Sequence, residues 1–490
     1  NLSPSIPWVL PRWIPTMQPL QSASADEKKD ITTMTILPID LALYQRTRPY
    51  PQIPETVSLT PEDCLKRHQY LRSLVGHKQR QSPLGEPTNR EEPAFVAISD
   101  EFLDLVREGK VEVVHGRLVG VDKDGTLQIS DSQALSDIDH IICCSGYTSQ
   151  SHNFLSPDML STLDYDVGDG FCPTILAWDT LHPSLPGLAF CGMHRGAYMG
   201  IMELQARLAA GVMSGSLLLE EEQLQSAMKT SQTIRNFTPR AQFPHFDYPG
   251  FIDTLSKLCY GDDFPKYNRD VGDLVVPAFY QPDDELSRKC QLEMREEIER
   301  GQDGSRMPKV VLQSILGKWS FDRHIVHLKT KKVERIHGTV KYSKYWERSL
   351  DDDDTYGNEM FKHDTKDNPV LYREDGLYEF SPTQKFEVFR EYEYECKHDS
   401  LEIYFVEGGK RALLFLSLKF VPEAAETKFA NDDGYWVKAT SDHLCIKDLY
   451  SATFRVKLNG LSASEVIIKY RVKGPAKDYE STTILKPQWS

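Results

Sequence analysis

The sequence is poor in cysteine, has no long apolar run, and carries fewer basic than acidic residues. Its 9 cysteines are scattered without paired spacing, which excludes a disulfide-stapled secreted scaffold and indicates a reducing, cytoplasmic compartment. The longest apolar stretch, residues 413–418, is far below the roughly 20 residues of a membrane-spanning helix. A formal net charge of -15 argues against nucleic acid or an anionic membrane as the main partner.

What is present is enough for two or three globular domains. The chain has 490 residues, of which 40% are hydrophobic and 26% charged, so it can bury more than one core. From Pro93 onward, "AFVAI" predicts a strand and "DEFLDLVREG" a helix capped by Ser99 or Asp100 and ended by Gly109. A hairpin is predicted around Asp124-Gly125, because Asp-Gly supplies the positive φ angles of such turns.

Two apolar segments that end in glycine indicate a ligand close to the backbone. "DHIICCSG" predicts a strand over residues 141–146 that is covered on both faces, and "LAFCG" predicts a second buried strand. A loop through Gly196 and Gly200 and an amphipathic helix from about Ile201 follow it. A cofactor could lie where a Cβ atom would collide, with the helix N-terminus aimed at it. A plain strand-to-loop turn is the alternative.

These motifs resemble the flavin-containing monooxygenases. "DHIICCSGYT" is similar to their D-x-(I/V)-I-x-A-T-G-Y strand, with Cys144 and Ser145 where Ala and Thr are usual; "LAFCG" and "MELQARLAAGVMSG" look like their closing strand and helix. "PSIPWVLPR" and "FPHFDYPGFIDTLSKLC" extend the resemblance over residues 1–281. It implies an incomplete α/β flavoprotein of the two-dinucleotide-binding-domain type. The cofactor contacts that it implies are Ser145, Gly146, Tyr147, Gly192, Gly196, Gly200 and Gln205.

The resemblance implies an oxidoreductase that uses FAD and NADPH to oxygenate a small organic substrate. No acid–base residue is singled out, because the cofactor carries that chemistry. The two G-x-G-x-x-G loops of the family are absent, so we expect a chain that is catalytically incomplete alone, either because it is truncated or because a partner supplies the rest. His194-Arg195 could contact a phosphate or simply face solvent, and Cys143-Cys144 is expected to be apolar filler rather than a redox pair.

Beyond Gln281 the pattern changes to short strands. A charged helix over residues 282–309 is predicted to link the domains, and seven or more strands with aromatic alternation predict an antiparallel sandwich or barrel over residues 310–490. The Gly-x-Trp of "GKWSFDRHI" ahead of the first strand favours the barrel. "LGKWSFDR", "LYREDG" and "DHLCIKDLYSATF" resemble an uncharacterised lipocalin-like domain family labelled DUF6314, found alone in bacteria and fused to fungal oxidoreductases. This resemblance implies a fold and no activity.

Three residues of the predicted barrel are candidate ligand or end-plug residues. Trp319 is expected to plug the closed end beneath Arg471 as a cation–π partner. His443 and Cys445 alternate on one strand, so both line the interior or both lie outside. The acidic run 351–354 is expected to be a solvated loop, and no metal site is predicted. A non-catalytic protein that holds a small apolar ligand in the barrel is therefore the alternative to an oxidoreductase.

Overall fold

The structure is a computed structural model of the 490-residue chain. It describes residues 6–19, 32–55, 59–130, 133–144, 152, 154–193, 199–237, 239–240, 245–262, 264–266, 268–282, 285–344, 369–381, 384–422, 434–475 and 477–488. All structural statements below refer to these residues.

The first part of the chain combines short strands with helices. Its strands are β1 (Trp8–Leu10), β2 (Trp13–Pro19), β3 (Thr32–Pro38), β4 (Val96–Ile98), β5 (Leu118–Val121), β6 (Leu127–Ile129) and β7 (Gln133–Leu135). Its helices are α1 (Ile39–Leu43), α2 (Pro61–Val75), α3 (Phe102–Arg107), α4 (Pro157–Thr162), α5 (Met199–Met213), α6 (Glu221–Asn236), α7 (Tyr248–Tyr260), the 3₁₀ helix Pro277–Tyr280 and α8 (Glu285–Gln302). Within the described residues, only β1 and β4 pair in parallel. A dinucleotide-binding α/β domain is therefore not shown.

The helix starts and a tight turn in this part depend on residues that are close together in the sequence. The backbone N–H of Phe102, the first residue of α3, donates to Oγ of Ser99 at 3.1 Å, but the N-cap position itself is Glu101 and not the predicted Ser99 or Asp100. β5 and β6 pair antiparallel across the predicted turn, where Gly125 has a φ of 88°. Helix α2 begins with a capping box between Thr60 and Asp63.

The predicted buried strand over residues 141–146 is wrong where it is described. Residues 137–144 form no strand, and the side chains of Ile141 and Ile142 are 50% and 86% exposed. A strand covered on both faces needs neighbours that bond its backbone and bury its side chains. No described strand pairs with this run, so its apolar side chains stay in solvent. Ser145 and Gly146 lie outside the described residues.

A buried ion pair organises the core of the helical region. The guanidinium of Arg46, fully buried, donates two hydrogen bonds to the carboxylate of Asp253. The hydroxyl of Tyr280 donates to the same carboxylate at 2.5 Å, and the N–H of Gln52 donates to it at 2.8 Å. Because every charge here has partners, the cluster fastens α7 to the 3₁₀ helix and to the segment after α1.

The second part is one curled antiparallel sheet, called the half-barrel below. Helix α9 (Met307–Ser314) precedes it. Its strands are β8 (Gly317–His327), β9 (Val333–Lys344), β10 (Val370–Ser381), β11 (Gln384–Lys397), β12 (Ser400–Glu407), β13 (Lys410–Leu418), β14 (Val421–Pro422), β15 (Tyr435–Cys445), β16 (Asp448–Asn459), β17 (Ser462–Lys473) and β18 (Asp478–Pro487). This confirms the predicted antiparallel all-β region.

The sheet curls until its two edges meet at one end. The strand order is β13-β12-β11-β10-β9-β8-β18-β17-β16-β15-β14, and only Lys419 and Phe420 separate the edge strands β13 and β14 along the chain. β14 pairs with β15, and the N–H of Ser417 donates to Oγ of Ser441 at 3.3 Å. Farther along, β13 and β15 share no backbone ladder, which leaves a seam between them.

Helix α9 closes one end of the half-barrel. Its side chains Met307, Val310 and Val311 are buried in the same core as Trp319 and Leu485. The predicted linker over residues 282–309 is therefore two elements. Charged α8 packs against β3 and the 3₁₀ helix, while α9 belongs to the half-barrel.

Candidate functional site

The interior of the half-barrel has a filled end and an accessible end. Near α9, inward side chains are fully buried, as shown by Trp319, Leu401, Val456 and Leu485 at 2% exposure or less. Toward the opposite hairpins, inward side chains are only half-buried: Ile325, Val388, Tyr392, Phe405, His443, Tyr450, Tyr470 and Tyr479. We call the first the closed end and the second the open end. An inward side chain that stays accessible faces space that no other described side chain fills.

Aromatic rings converge on Phe415 at the open end. Its ring centroid lies 4.6 Å from that of Phe405 and 5.8 Å from that of Tyr392, with which it is stacked. The ring centroids of Tyr450 and Tyr470 lie 6.0 and 6.1 Å from that of Phe415. These distances are typical of stabilising aromatic pairs. Five strands, β11, β12, β13, β16 and β17, thus contribute to one aromatic wall.

A buried ion pair crosses the interior below these rings. Nη1 and Nη2 of Arg323 donate to Oε1 and Oε2 of Glu374 at 2.7 and 2.6 Å, and Nε of Arg323 donates to Oγ1 of Thr483 at 2.8 Å. The hydroxyl of Tyr372 donates to Oε2 of Glu374 at 2.5 Å. Burial alone would raise the pKa of Glu374, but the charge and hydrogen bonds of Arg323 hold that pKa below its ordinary value. The pair is neutral as a whole.

Arg390 faces the interior without such a partner. It stands opposite Glu374 in the β10–β11 register, and this position shares the inner face with Tyr392 and Tyr394. Its side chain is exposed, and it forms no hydrogen bond or ion pair with the residues described. Its positive charge lowers the pKa of the Glu374 carboxyl. The same charge opposes the rise in pKa that burial causes at the hydroxyls of Tyr470 and Tyr479.

His443 and Cys445 lie on the inner face of β15, near the seam. They alternate with the exposed Leu444, and the His443 ring lies 5.3 Å from that of Phe415 and 6.3 Å from that of Phe405. The predicted ligand residue His443 is therefore part of the aromatic wall. Among the residues that the structure describes, no group of three or more His, Cys, Asp or Glu could hold a metal ion.

The predicted cation–π pair between Trp319 and Arg471 is wrong. Trp319 lies at the closed end, where its Nε1 donates to the carbonyl of Ile315 at 2.7 Å. Arg471 is in register with Glu480 and Val326, near the open end, on the outer face of β17. There its Nη2 donates to Asp478 at 2.7 Å. Strand register, which sequence spacing does not reveal, separates the two side chains.

Three of the predicted flavin contacts are described, and they serve packing. Oε1 of the fully buried Gln205 accepts the N–H of Gly192 at 3.0 Å, and its Nε2 donates to the carbonyl of Trp178 at 3.2 Å. A Cβ atom on Gly200 would lie 2.7 Å from Cβ of Pro277, so this glycine lets α5 approach the 3₁₀ helix. Ser145, Gly146, Tyr147 and Gly196 lie outside the described residues, as do His194-Arg195 and the acidic run 351–354.

A small pocket lies beside this packing arrangement. It has a volume of about 60 Å³ and is lined in part by Phe171, Cys172 and Ser231. This is room for a few water molecules and not for an organic cofactor. Burial raises the pKa of the Cys172 thiol, which keeps it protonated and unreactive.

Cys143 and Cys144 are exposed, in contrast to the buried filler that was predicted.

The aromatic wall was missed in the sequence, although a signal for it is present. In "REYEYEC", Tyr392 and Tyr394 alternate with glutamates. This period of two places both rings on one face and the carboxylates on the other. The sequence does not show that the tyrosine faces of distant strands meet, because that depends on how the sheet curls.

The family comparison matches the part of the chain that forms the half-barrel. Residues 315–487 match the family described as "Family of unknown function (DUF6314)". No curated protein matches the chain. One solved structure that the comparison found is the S-type phycobiliprotein lyase CPES from Guillardia theta, at 9% identity and a TM-score of 0.24, covering 38% of this chain and 97% of that one. Of the helices that the structure describes, none is long and apolar enough to cross a membrane.

Proposed function

We propose that the interior of the half-barrel binds a small, flat, mainly apolar organic molecule through its open end. The observation that carries this proposal is the half-buried state of inward aromatic side chains, among them Tyr392, Phe405 and Tyr470. Aromatic side chains in a filled core are covered, whereas these line space that is open to solvent. Concave sites lined by aromatic rings with a few polar groups are typical of small-molecule binding.

The chemistry of the wall favours a ligand with a π-system. Ring faces around Phe415 offer stacking and edge contacts, each worth about 0.5–1.5 kcal/mol beyond the area that is buried. Burial raises the pKa of the Tyr470 hydroxyl, so it stays protonated and can donate a hydrogen bond. The ion pair of Arg323 and Glu374 is internally satisfied, so it supports the floor of the site without needing the ligand.

A fluorescence titration with the neutral dye Nile red tests this function on the full chain. We expect saturable uptake with a blue-shifted emission. His443→Trp adds bulk on the inner face of β15 and should weaken uptake, whereas Leu444→Trp adds the same ring on the outer face and should not. Equal affinities in both variants and the wild type would locate the dye elsewhere, and no uptake by the wild type would refute the function.

The flavin-dependent oxygenase activity stays a prediction that rests on the resemblance of residues 1–281. The one supporting contact is that between Gly192 and Gln205, two residues of the predicted set. If FAD binds, it would supply oxygen activation with electrons from NADPH. An absorbance spectrum of the purified chain, followed by titration with FAD, decides the matter. Stoichiometric flavin binding would support the oxidoreductase, and a colourless protein that takes up Nile red would support the binding function alone.

A further inference from the structure

We propose that the ligand of the half-barrel is an organic anion and that the guanidinium of Arg390 recognises its charged group. This inference rests on the proposed binding function and adds the chemical class of the ligand. It follows from a contrast between two inward arginines. Arg323 is neutralised by Glu374, whereas Arg390 forms no ion pair with a described residue.

The position of Arg390 suits an anion better than a structural role. It stands on the same face as the pair Tyr372 and Tyr392, two positions along the β10–β11 ladder, so an anionic group beside it would keep the ligand's apolar part against the rings. A guanidinium offers a planar fork of N–H donors that matches a carboxylate or a sulfonate. The neighbouring hydroxyls of Tyr470 and Tyr479 can donate as well.

The surrounding acidic groups do not supply the missing partner. Glu374 is occupied by both Nη atoms of Arg323 and by Tyr372. Glu334, inward at the open end, is held by Nζ of Lys332 at 2.8 Å and by Nε2 of His327 at 3.1 Å. Glu391 and Glu393, the neighbours of Arg390 in the chain and the ladder, lie on the outer face, where Arg373 and Arg411 approach them. Among the residues that the structure describes, none of these carboxylates therefore forms an ion pair with Arg390.

The test compares a neutral and an anionic probe on the full chain. Nile red is neutral, and 1-anilinonaphthalene-8-sulfonate is an aromatic anion of similar size. Arg390→Ala and the longer Arg390→Gln remove the charge, and Arg390→Lys keeps it. Arg373→Ala is the matched control, because it removes an arginine at the same level of the sheet on the outer face.

We expect both Arg390→Ala and Arg390→Gln to weaken binding of the sulfonate by about tenfold or more, the change that follows loss of a hydrogen bond to a charged group. Nile red binding should stay within about twofold, and Arg390→Lys and Arg373→Ala should keep most of the sulfonate affinity. If the wild type binds both probes and the Arg390 variants do not discriminate between them, the inference is wrong and the binding function stands. If the wild type binds neither probe, the binding function fails and the inference fails with it.

Discussion

Arg323 and Glu374 face each other across β9 inside the half-barrel, and their two parallel hydrogen bonds of 2.7 and 2.6 Å hold three strands at a fixed spacing. Both side chains are at least nine-tenths buried. Such a pair contributes little net stability once desolvation is counted, yet either charge left alone would be costly. It therefore fixes the shape of the site floor more than it strengthens the fold.

Removing one member of this pair should destabilise the protein strongly. Glu374→Ala leaves the Arg323 guanidinium buried without a counter-charge, and we expect a loss of roughly 3–5 kcal/mol in the free energy of unfolding. Denaturant titration measures it. Arg335→Ala breaks the exposed pair with Asp322 on the outer face and should cause a much smaller loss. Similar losses in the two variants would contradict the burial that is described here.

Lowering the pH should destabilise the protein at the open end, because Glu334 becomes protonated. Burial would raise its pKa, but hydrogen bonds from Lys332 and His327 lower the pKa from 4.5 to about 2. A folded-state pKa below the unfolded one gives stability that is complete above pH 4.5 and is lost as pH falls toward 2. Unfolding titrations at falling pH should therefore show a smaller decline for Glu334→Gln than for the wild type. Parallel declines would show that Glu334 is not the group responsible.

Trp319→Ala should destabilise the half-barrel by roughly 3–5 kcal/mol, because it removes a large buried aromatic side chain. It also leaves the carbonyl of Ile315 without its indole donor. Arg471→Ala should leave the melting temperature and the Trp319 environment nearly unchanged, since the two side chains lie at opposite ends. If the stability losses of the two substitutions are coupled in a double-mutant cycle, the two side chains interact, and the strand register described above is wrong.

Gly200→Ala tests whether that glycine serves packing. The added Cβ would meet Cβ of Pro277 at 2.7 Å, so α5 must shift, at a cost of about 1–3 kcal/mol. Gly187→Ala is the control, because nothing lies within 4 Å of the Cβ position there. Thermal unfolding of both variants measures the difference. If Gly200→Ala is as stable as Gly187→Ala, the close approach of α5 to the 3₁₀ helix is not as described.

Local signals made much of the second half predictable. Alternating aromatic and charged residues with glycine turns indicate strands whatever their neighbours are, so the antiparallel sheet follows from the sequence. The contact of Ser99 with the start of α3 and the turn at Gly125 were predictable for the same reason, since each depends on residues close in the chain.

Features that depend on distant partners were not predictable. Ile141 and Ile142 resemble a buried strand, but burial requires neighbouring strands that the described residues do not provide. Whether Trp319 meets Arg471 depends on register across two ladders. The convergence of rings on Phe415 required knowledge of how far the sheet curls. Helix α9 looked like linker because its role as a plug is visible only beside the closed end.

The incomplete ladder between β13 and β15 also bears on association of the protein with itself. A bare strand edge is a template on which another chain can add a strand. Lys410 and Arg411 lie on this edge, and register shifts interrupt the β12–β13 ladder beside it. Charge and irregularity of this kind oppose edge-to-edge pairing. The same stretch exposes Leu413 at 79%, so these two basic side chains flank an apolar side chain on the open edge.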